Sequence, residues 1–467
     1  TGQAQMPLTN PLQWAKAQFG QAELKDPRRR QRLLSLAASL AAQPGAAVSQ
    51  LPLSPAEMEG AYRFIRNEHI QPEAIAQAGF QVTAAHAQHH PLLLALEDTT
   101  ALSFRHQSVK HELGHSNQHD SHRALQAHSV LLFSPTDQQV VGLIAQKRWT
   151  RDISKRGQRH QYATRPYQEK ESYKWEETSR EVAERLGSTM DKVISVCDRE
   201  ADIYEYLLYK HQQRQRFVVR SMQSRCINEH DNKLYDYARQ CQSAGTRVVK
   251  IPQRGGRKAR EAVLDIKFAR VTLKAPANKR SEPDIPLYYV GCIEQSDAAD
   301  RLEWHLLTSE AVTCAEQASE IIGYYERRWL IEDYHKVWKS AGTRVEGLRM
   351  QSRGNLERMS VILAFIAVRL LQLRFIKAIQ TESAQCCDKV LSAKSWKLLW
   401  LKVEKTALPV TTPDMNWAYR SLAMLGGWKD TKRTGRASIN ALWGGWFKLQ
   451  TILEGYELAL SLEHEKL

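Results

Sequence analysis

The hydrophobic positions of this chain change their period several times, and each change marks an element. Pro91-Leu-Leu-Leu-Ala-Leu-Glu-Asp98 and Lys192-Val-Ile-Ser-Val-Cys-Asp198 are continuous apolar runs that turn polar at an aspartate, the pattern of buried strands. With similar runs between them, they predict strands near 92–97, 128–134, 139–146 and 192–197. A long polar excursion follows, about 205–315, with β-rich stretches such as Arg216-Phe-Val-Val-Arg220 and Arg270-Val-Thr-Leu-Lys274 interrupted by the basic run Arg254 to Arg260. Helical spacing returns from Tyr325 to Lys339, and again in Leu442 to Leu453 within a tail carrying Trp396, Trp400, Trp417, Trp428, Trp443 and Trp446. Near the start, Asp26-Pro27 reads as a cap and first-turn proline opening a helix.

Candidate chemistry gathers on the stretch from Tyr325 to Lys339. Tyr325, Arg328, Glu332 and Lys339 are offset by 3, 7 and 14 residues. At roughly 100° per residue they share one helical stripe, with Lys336 beside them. A carboxylate flanked by cations suits half of a metal-dependent phosphoryl-transfer site, the carboxylate binding metal and the cations gripping phosphate. Asp98 and Asp198, at the ends of two apolar strands, are the natural other half, because chemistry in open α/β sheets collects at the carboxyl ends of strands. Taken singly, each aspartate reads more often as a turn or cap residue, and Glu332 with its lysines reads equally as a surface ion-pair ladder. The conjunction sets them apart.

The spacing Y-x2-R-x3-E-x6-K in Tyr325–Lys339 resembles the signature of the IS-four family of bacterial DDE transposases. Further similar blocks run in order along the chain: Gly60–Asn67, Asp98-Thr-Thr, Val196–Ile203, Arg216–Arg220, Leu306–Glu310, Asn355–Met359 and Lys432–Gly435. The resemblance implies an α/β fold: an RNase H-like mixed-sheet catalytic core over 73–380 with an inserted antiparallel β-sheet at about 205–315. It also implies a helical N-terminal DNA-binding domain at 1–72 and a helical dimerisation domain at 381–467. It implies cut-and-paste transposition, with Asp98, Asp198 and Glu332 holding two Mg²⁺ ions for which Mn²⁺ would substitute. Tyr325, Arg328, Lys336 and Lys339 would hold phosphate, and Trp304 would stack a flipped base. Arg29 and Arg32 would read the transposon end, and Arg220, Arg349 and Asn355 would contact DNA. Where the family pairs an arginine with an acid after the catalytic helix, this chain has Arg349 and Gln351. The implied partners are double-stranded transposon-end and target DNA and a second copy of the chain, working in the bacterial cytoplasm.

Charge changes this picture little but agrees with it. The 66 basic and 51 acidic residues give a net +15, which favours a polyanionic partner and says nothing of fold. Arg28, Arg29, Arg30 and Arg32 load the first turn after Asp26 with positive charge where the helix dipole prefers acids, so an anion such as DNA phosphate is expected there. Seven scattered cysteines without metal-ligand spacing read as reduced thiols. The apolar run Val361–Val368 stops at Arg369, too short to span a bilayer. His111, His115, His119 and His122 have ligand-like spacing, but Gly114, Ser116 and Asn117 break any helix between them, so a polar loop is expected. A stand-alone nuclease and a catalytically silent DNA-binding protein are the competing classes. The first shares the metal triad, and the intact acids speak against the second.

Overall fold

The computed structural model describes residues 11–115, 123–152, 164–251, 253, 255–256, 258–375, 386–389, 391–433, 437 and 439–465. His119, His122, Arg254, Arg257, the end of the block Lys432–Gly435 and the expected boundary near 380 lie outside the described residues.

Four helices open the chain, α1 (Pro11–Phe19), α2 (Pro27–Ala42), α3 (Pro55–Arg66) and α4 (Pro72–Ala87), and each begins at a proline. Proline suits that position because its missing N–H has no intrahelical partner there in any case. Asp26 caps α2 as the sequence predicts, accepting from Arg28 N at 2.9 Å. Ser54 and Glu57 close a reciprocal capping box on α3. Buried Leu33, Leu36, Ala37 and Leu40 turn α2 inward, leaving its arginine-rich first turn at the surface.

The chain continues through β1 (Leu93–Phe104), α5 (Gln107–Lys110), β2 (Gly114–His115), β3 (Arg123–Ser134), β4 (Gln139–Trp149), α6 (Lys174–Leu186), β5 (Val193–Cys197), α7 (Tyr204–Gln212) and β6 (Arg216–Arg220). Then come α8 (Leu234–Gln240), β7 (Gly245–Ile251), β8 (Arg260–Leu273), β9 (Ile285–Glu294), β10 (Glu303–Thr308), α9 (Ala315–Glu326), α10 (Trp329–Lys336) and α11 (Arg353–Phe375). The ten strands form one mixed sheet in the order β2–β3–β1–β5–β6–β10–β9–β8–β7, with β4 also paired to β3. Only the β1/β5 and β5/β6 pairs are parallel. Over their paired lengths those strands are buried, except for half-buried Arg216 at the start of β6. Strand β7, at the edge, alternates between half-buried and exposed residues.

Arg216–Arg220, which the sequence groups with the inserted run, is β6 and lies parallel to β5 among the central strands. The antiparallel strands β7 to β10 do not form a separate sheet. β10 pairs with β6, so they extend the central one.

Helix α11 carries the apolar run Val361–Val368, every residue of which is buried. A Cβ on Gly79 of α4 would lie 2.3 Å from the Phe365 ring, so the two helices touch backbone to side chain. Arg358 of α11 clamps the same region, donating to the carbonyls of Ile65 at 2.7 Å and Ile70 at 3.0 Å. No helix among the described residues is long and apolar enough to cross a membrane. Helices α12 (Ala393–Val403), α13 (Met415–Leu425) and α14 (Ile439–His464) build their own core from Trp396, Leu399, Tyr419, Leu422 and Trp446. The far end of α14 leaves Tyr456, Leu458 and Leu462 exposed.

Candidate active site

Register places the two aspartates. Leu94 lies opposite Ile194 and Leu96 opposite Val196 in the parallel β1/β5 ladder, so two residues further on Asp98 and Asp198 fall abreast. The next ladder pairs Cys197 with Val219, which sets Arg220 beside Asp198 by the same step. Asp198 ends its strand as a cap, its Oδ1 accepting from Glu200 N at 2.9 Å. Asp98 does not end its strand, contrary to the expectation from the apolar run. β1 runs on to Phe104 because β3 continues the antiparallel ladder past it, Asp98 facing Ser129, through the β-branched Thr99 and Thr100.

The stretch from Tyr325 to Lys339 is also not one α-helix, which corrects the single stripe read from its spacing. α9 ends at Glu326, and Arg327 and Arg328 form a tighter turn with bonds three residues apart, Arg328 N to Tyr325 O and Ile331 N to Arg328 O, both 3.1 Å. After α10 the backbone widens into a π-turn over Val337–Ala341. Local tightening and widening replace the uniform 100° step, and the side chains diverge. Arg328 turns inward with 7 % of its side chain exposed, whereas Glu332 keeps 62 % exposed. Lys336 is exposed and Tyr325 half-buried. Lys339, in the π-turn, reaches back to β1 and donates to Thr100 Oγ1 at 3.1 Å.

Because α10 packs across β1 and β3, Arg328 meets all three acids. Its Nη2 stands 3.3 Å from Asp98 Oδ1 and 3.7 Å from Asp198 Oδ2, and donates to the Glu97 carbonyl at 3.2 Å. Its Nη1 lies 3.4 Å from Glu332 Oε1. Burial works against the charge on Arg328, but Asp98 and Asp198 outweigh it and raise its pKa. Burial would push the Asp98 carboxyl up, yet the His335 ring and the Arg328 guanidinium overcome it and hold the group below its usual value.

Sequence reasoning missed His335. It sits one helical turn after Glu332 on the buried side of α10, its Nδ1 3.8 Å from Asp98 Oδ2 and its Nε2 2.9 Å from Ser129 Oγ. Gln146 Nε2 donates to the same hydroxyl at 3.0 Å, so β3 and β4 hold the ring from behind. Burial pushes the His335 pKa down, against the pull of Asp98, and so disfavours the imidazolium. On the opposite face of β1, Glu97 bonds His128 Nε2 at 3.2 Å, and Thr99 holds its Nδ1 at 2.9 Å. A signal for His335 was available: an i,i+3 histidine beside the proposed ligand in an otherwise apolar helix face.

The remaining residues nominated from the sequence stand on other elements. Trp304 is on β10 opposite Cys292, half-buried against the core. Arg29 donates to the Leu24 carbonyl at 3.1 Å, and Arg32 lies over Gly60, where a Cβ would come within 2.2 Å of its Cζ. Arg349 is exposed, and Asn355 Oδ1 accepts from Arg358 at 2.8 Å.

Three carboxylates form an all-oxygen donor set, the kind that suits a hard divalent ion. Among the described residues, however, no three His, Cys, Asp or Glu side chains are grouped as the shell of one ion, and Arg328 is the cation that lies between the acids. Residues 11–70 match the family model described as transposase DNA-binding. This stretch, α1 to α3 with their arginine-rich turn, supports a transposase DNA-binding region at this end of the chain and DNA as its partner.

Proposed function

We propose that the chain is a cut-and-paste DNA transposase of the IS-four DDE kind, similar to the transposase of transposon five. The observation that carries this reading is the meeting of Asp98, Asp198 and Glu332, from two strands and a late helix, on one guanidinium within 3.3–3.7 Å. The match of residues 11–70 supports the DNA-binding half of the reading. An antiparallel β4–β3–β1 set continued in parallel by β5 and β6, with Asp98 within β1 abreast of Asp198 just past the end of β5, supports the RNase H-like core.

Asp98, Asp198 and Glu332 would hold the divalent ions, which when bound activate water and steady the leaving oxygen of an in-line transfer. Mg²⁺ is the ion proposed, and Mn²⁺ would substitute. Lys336 and Lys339, with Tyr325, would align the scissile phosphate, and Arg220 stands abreast of Asp198 to grip the neighbouring strand. Arg29 and Arg32 would engage the transposon end, and Arg349 and Asn355 would contact DNA near α11. The 3′-OH freed by nicking would attack the opposite strand to form a hairpin, with Trp304 stacking the base extruded at the bend. After hairpin opening, the 3′-OH would join to target DNA. The α12–α14 unit, with the exposed apolar end of α14, is proposed to pair two copies.

The test is to incubate the protein with its element's terminal repeats, a plasmid target and Mg²⁺. Repeats joined to plasmid are the expected product. Cleavage without joining would leave a nuclease, and metal-independent behaviour would remove the triad.

A further inference from the structure

The three acids already share a cation of the protein's own. Two other arginines make closer contacts: half-buried Arg225 meets the Asp202 carboxylate at 2.8 Å and its carbonyl at 2.8 Å, and buried Arg358 makes three bonds between 2.7 and 3.0 Å. Arg328 is bound differently. It spreads two nitrogens over three carboxylates at 3.3 to 3.7 Å, and its buried Nε has no hydrogen-bond partner. A second buried group is left open toward the same place, because His335 Nδ1, on a side chain 5 % exposed, has no hydrogen-bond partner and faces Asp98 Oδ2.

Three negative charges around one positive charge leave the cluster under-neutralised. A guanidinium is too large and too weakly charged to draw the oxygens together. A divalent ion brings twice the charge and holds carboxylate oxygens at about 2.1 Å, well inside the distances seen here. The two cations cannot share the space, since like charges a few ångströms apart repel strongly at low dielectric. A phosphate arriving at the site offers Arg328 an alternative bidentate partner.

Resting on the reading of Asp98, Asp198 and Glu332 as metal ligands, we infer that Arg328 is a positioning residue that serves as their internal counter-ion in the DNA-free protein, and that a divalent ion enters by exchange for it. Arg328 keeps the repelling carboxylates assembled before metal arrives. It also holds metal affinity down until DNA draws the guanidinium away, so that metal and DNA favour each other's binding. That coupling is reciprocal by linkage.

The experiment is a Mn²⁺ titration of the full chain without DNA, followed by the electron paramagnetic resonance of the free ion, on wild type, R328A, R328Q, R328K and D98N. R328A and R328Q should bind Mn²⁺ at least about tenfold more tightly than wild type, because the competing charge is gone. R328K, which keeps the charge, should stay near wild type, and D98N should bind weakly. Thermal midpoints guard against a folding artefact: R328A and R328Q should melt lower than wild type in chelator and gain more from Mn²⁺ than wild type does. If R328A and R328Q bind no more tightly than wild type while D98N has lost binding, the triad stands and the exchange is overturned. If D98N binds as wild type does, the triad reading falls and the exchange with it.

Discussion

Two charged clusters on the same sheet are built with opposite balance. Beside the middle of β1 and the carboxyl end of β5, three carboxylates gather on the single guanidinium of Arg328. On β10 the arrangement is inverted, and one carboxylate, Glu303, takes Arg301 at 2.9 Å, Arg239 at 3.1 Å and His305 Nε2 at 3.1 Å. The His305 ring is fixed in turn by Tyr289 at 2.6 Å and stacks on Tyr235 at 3.9 Å. Burial opposes the charge on Glu303, but hydrogen bonds from Arg239, His305 and Arg301 overcome it and bring its pKa down to about 2. An acid surrounded by excess donors is a finished structural post. A cation surrounded by excess acids still attracts positive charge, which is what a site for metal and phosphate chemistry requires.

The contrast can be broken at either cluster. The largest effect belongs to Asp98→Asn, Asp198→Asn and Glu332→Gln, each expected to cut strand cleavage at least about 10³-fold, because metal positioning supplies several kcal/mol to the transition state. Binding of the terminal-repeat duplex by gel shift should persist, while Asp98→Asn should also lower the thermal midpoint near neutral pH, because the folded protein holds the Asp98 carboxyl below its usual value and so gains stability from its charge. Near-normal cleavage by any one variant removes that residue from the triad.

Trp304→Ala asks whether β10, next to the structural post, also contributes to chemistry. Base stacking is worth roughly 1–3 kcal/mol, so hairpin formation should slow by about 5- to 150-fold while first-strand nicking changes little. Equal loss at both steps in a time course would assign the indole to packing alone.

Glu303→Gln should act on stability and leave nicking intact. Its folded pKa lies below the ordinary value of 4.5, so its contribution is fully present above about pH 4.5 and disappears as pH falls toward about 2. The gap in thermal midpoint between wild type and variant should therefore be widest near neutrality and close across that window. A gap that does not narrow in acid would mean that shape, not charge, makes the post.

Asp236→Asn is the smallest case. Asp236 touches Arg239 at 3.3 Å but is 60 % exposed, so its removal should cost no more than about 0.5 kcal/mol in a denaturant titration. A larger loss would show that the post extends further than its buried members.

How much of this was legible depended on whether the controlling force was local. The starts of β1, β4 and β5 and the end of β3 were readable because apolar runs have few alternatives, and the cap at Asp26 because its chemistry is contained in neighbouring residues; β3 itself begins at Arg123, five residues before its apolar run. The second half of β1 was not readable, since Asp98 through Thr100 are held extended by β3, a partner distant in sequence. The break at Arg327–Arg328 and the π-turn at Val337 escaped for the same reason. They bring Arg328 to Asp98 and Asp198 and Lys339 to Thr100, and a regular helical wheel contains neither partner. The nomination of Asp98, Asp198 and Glu332 as a set was open to a sequence reader, but the guanidinium that lies between them was not.

The unbroken run of strands from β5 to β7 makes the sheet a ruler. Its five steps, through β6, β10, β9 and β8, are each about 4.8 Å across the hydrogen-bonding direction, which sets the far edge roughly 24 Å from the strand that bears Asp198. Stretching or folding that span would require breaking ladder bonds, so a molecule gripped along β7 is measured out from the carboxylates at a nearly constant interval. Strands on a hinge could swing, whereas strands welded into the sheet keep one separation.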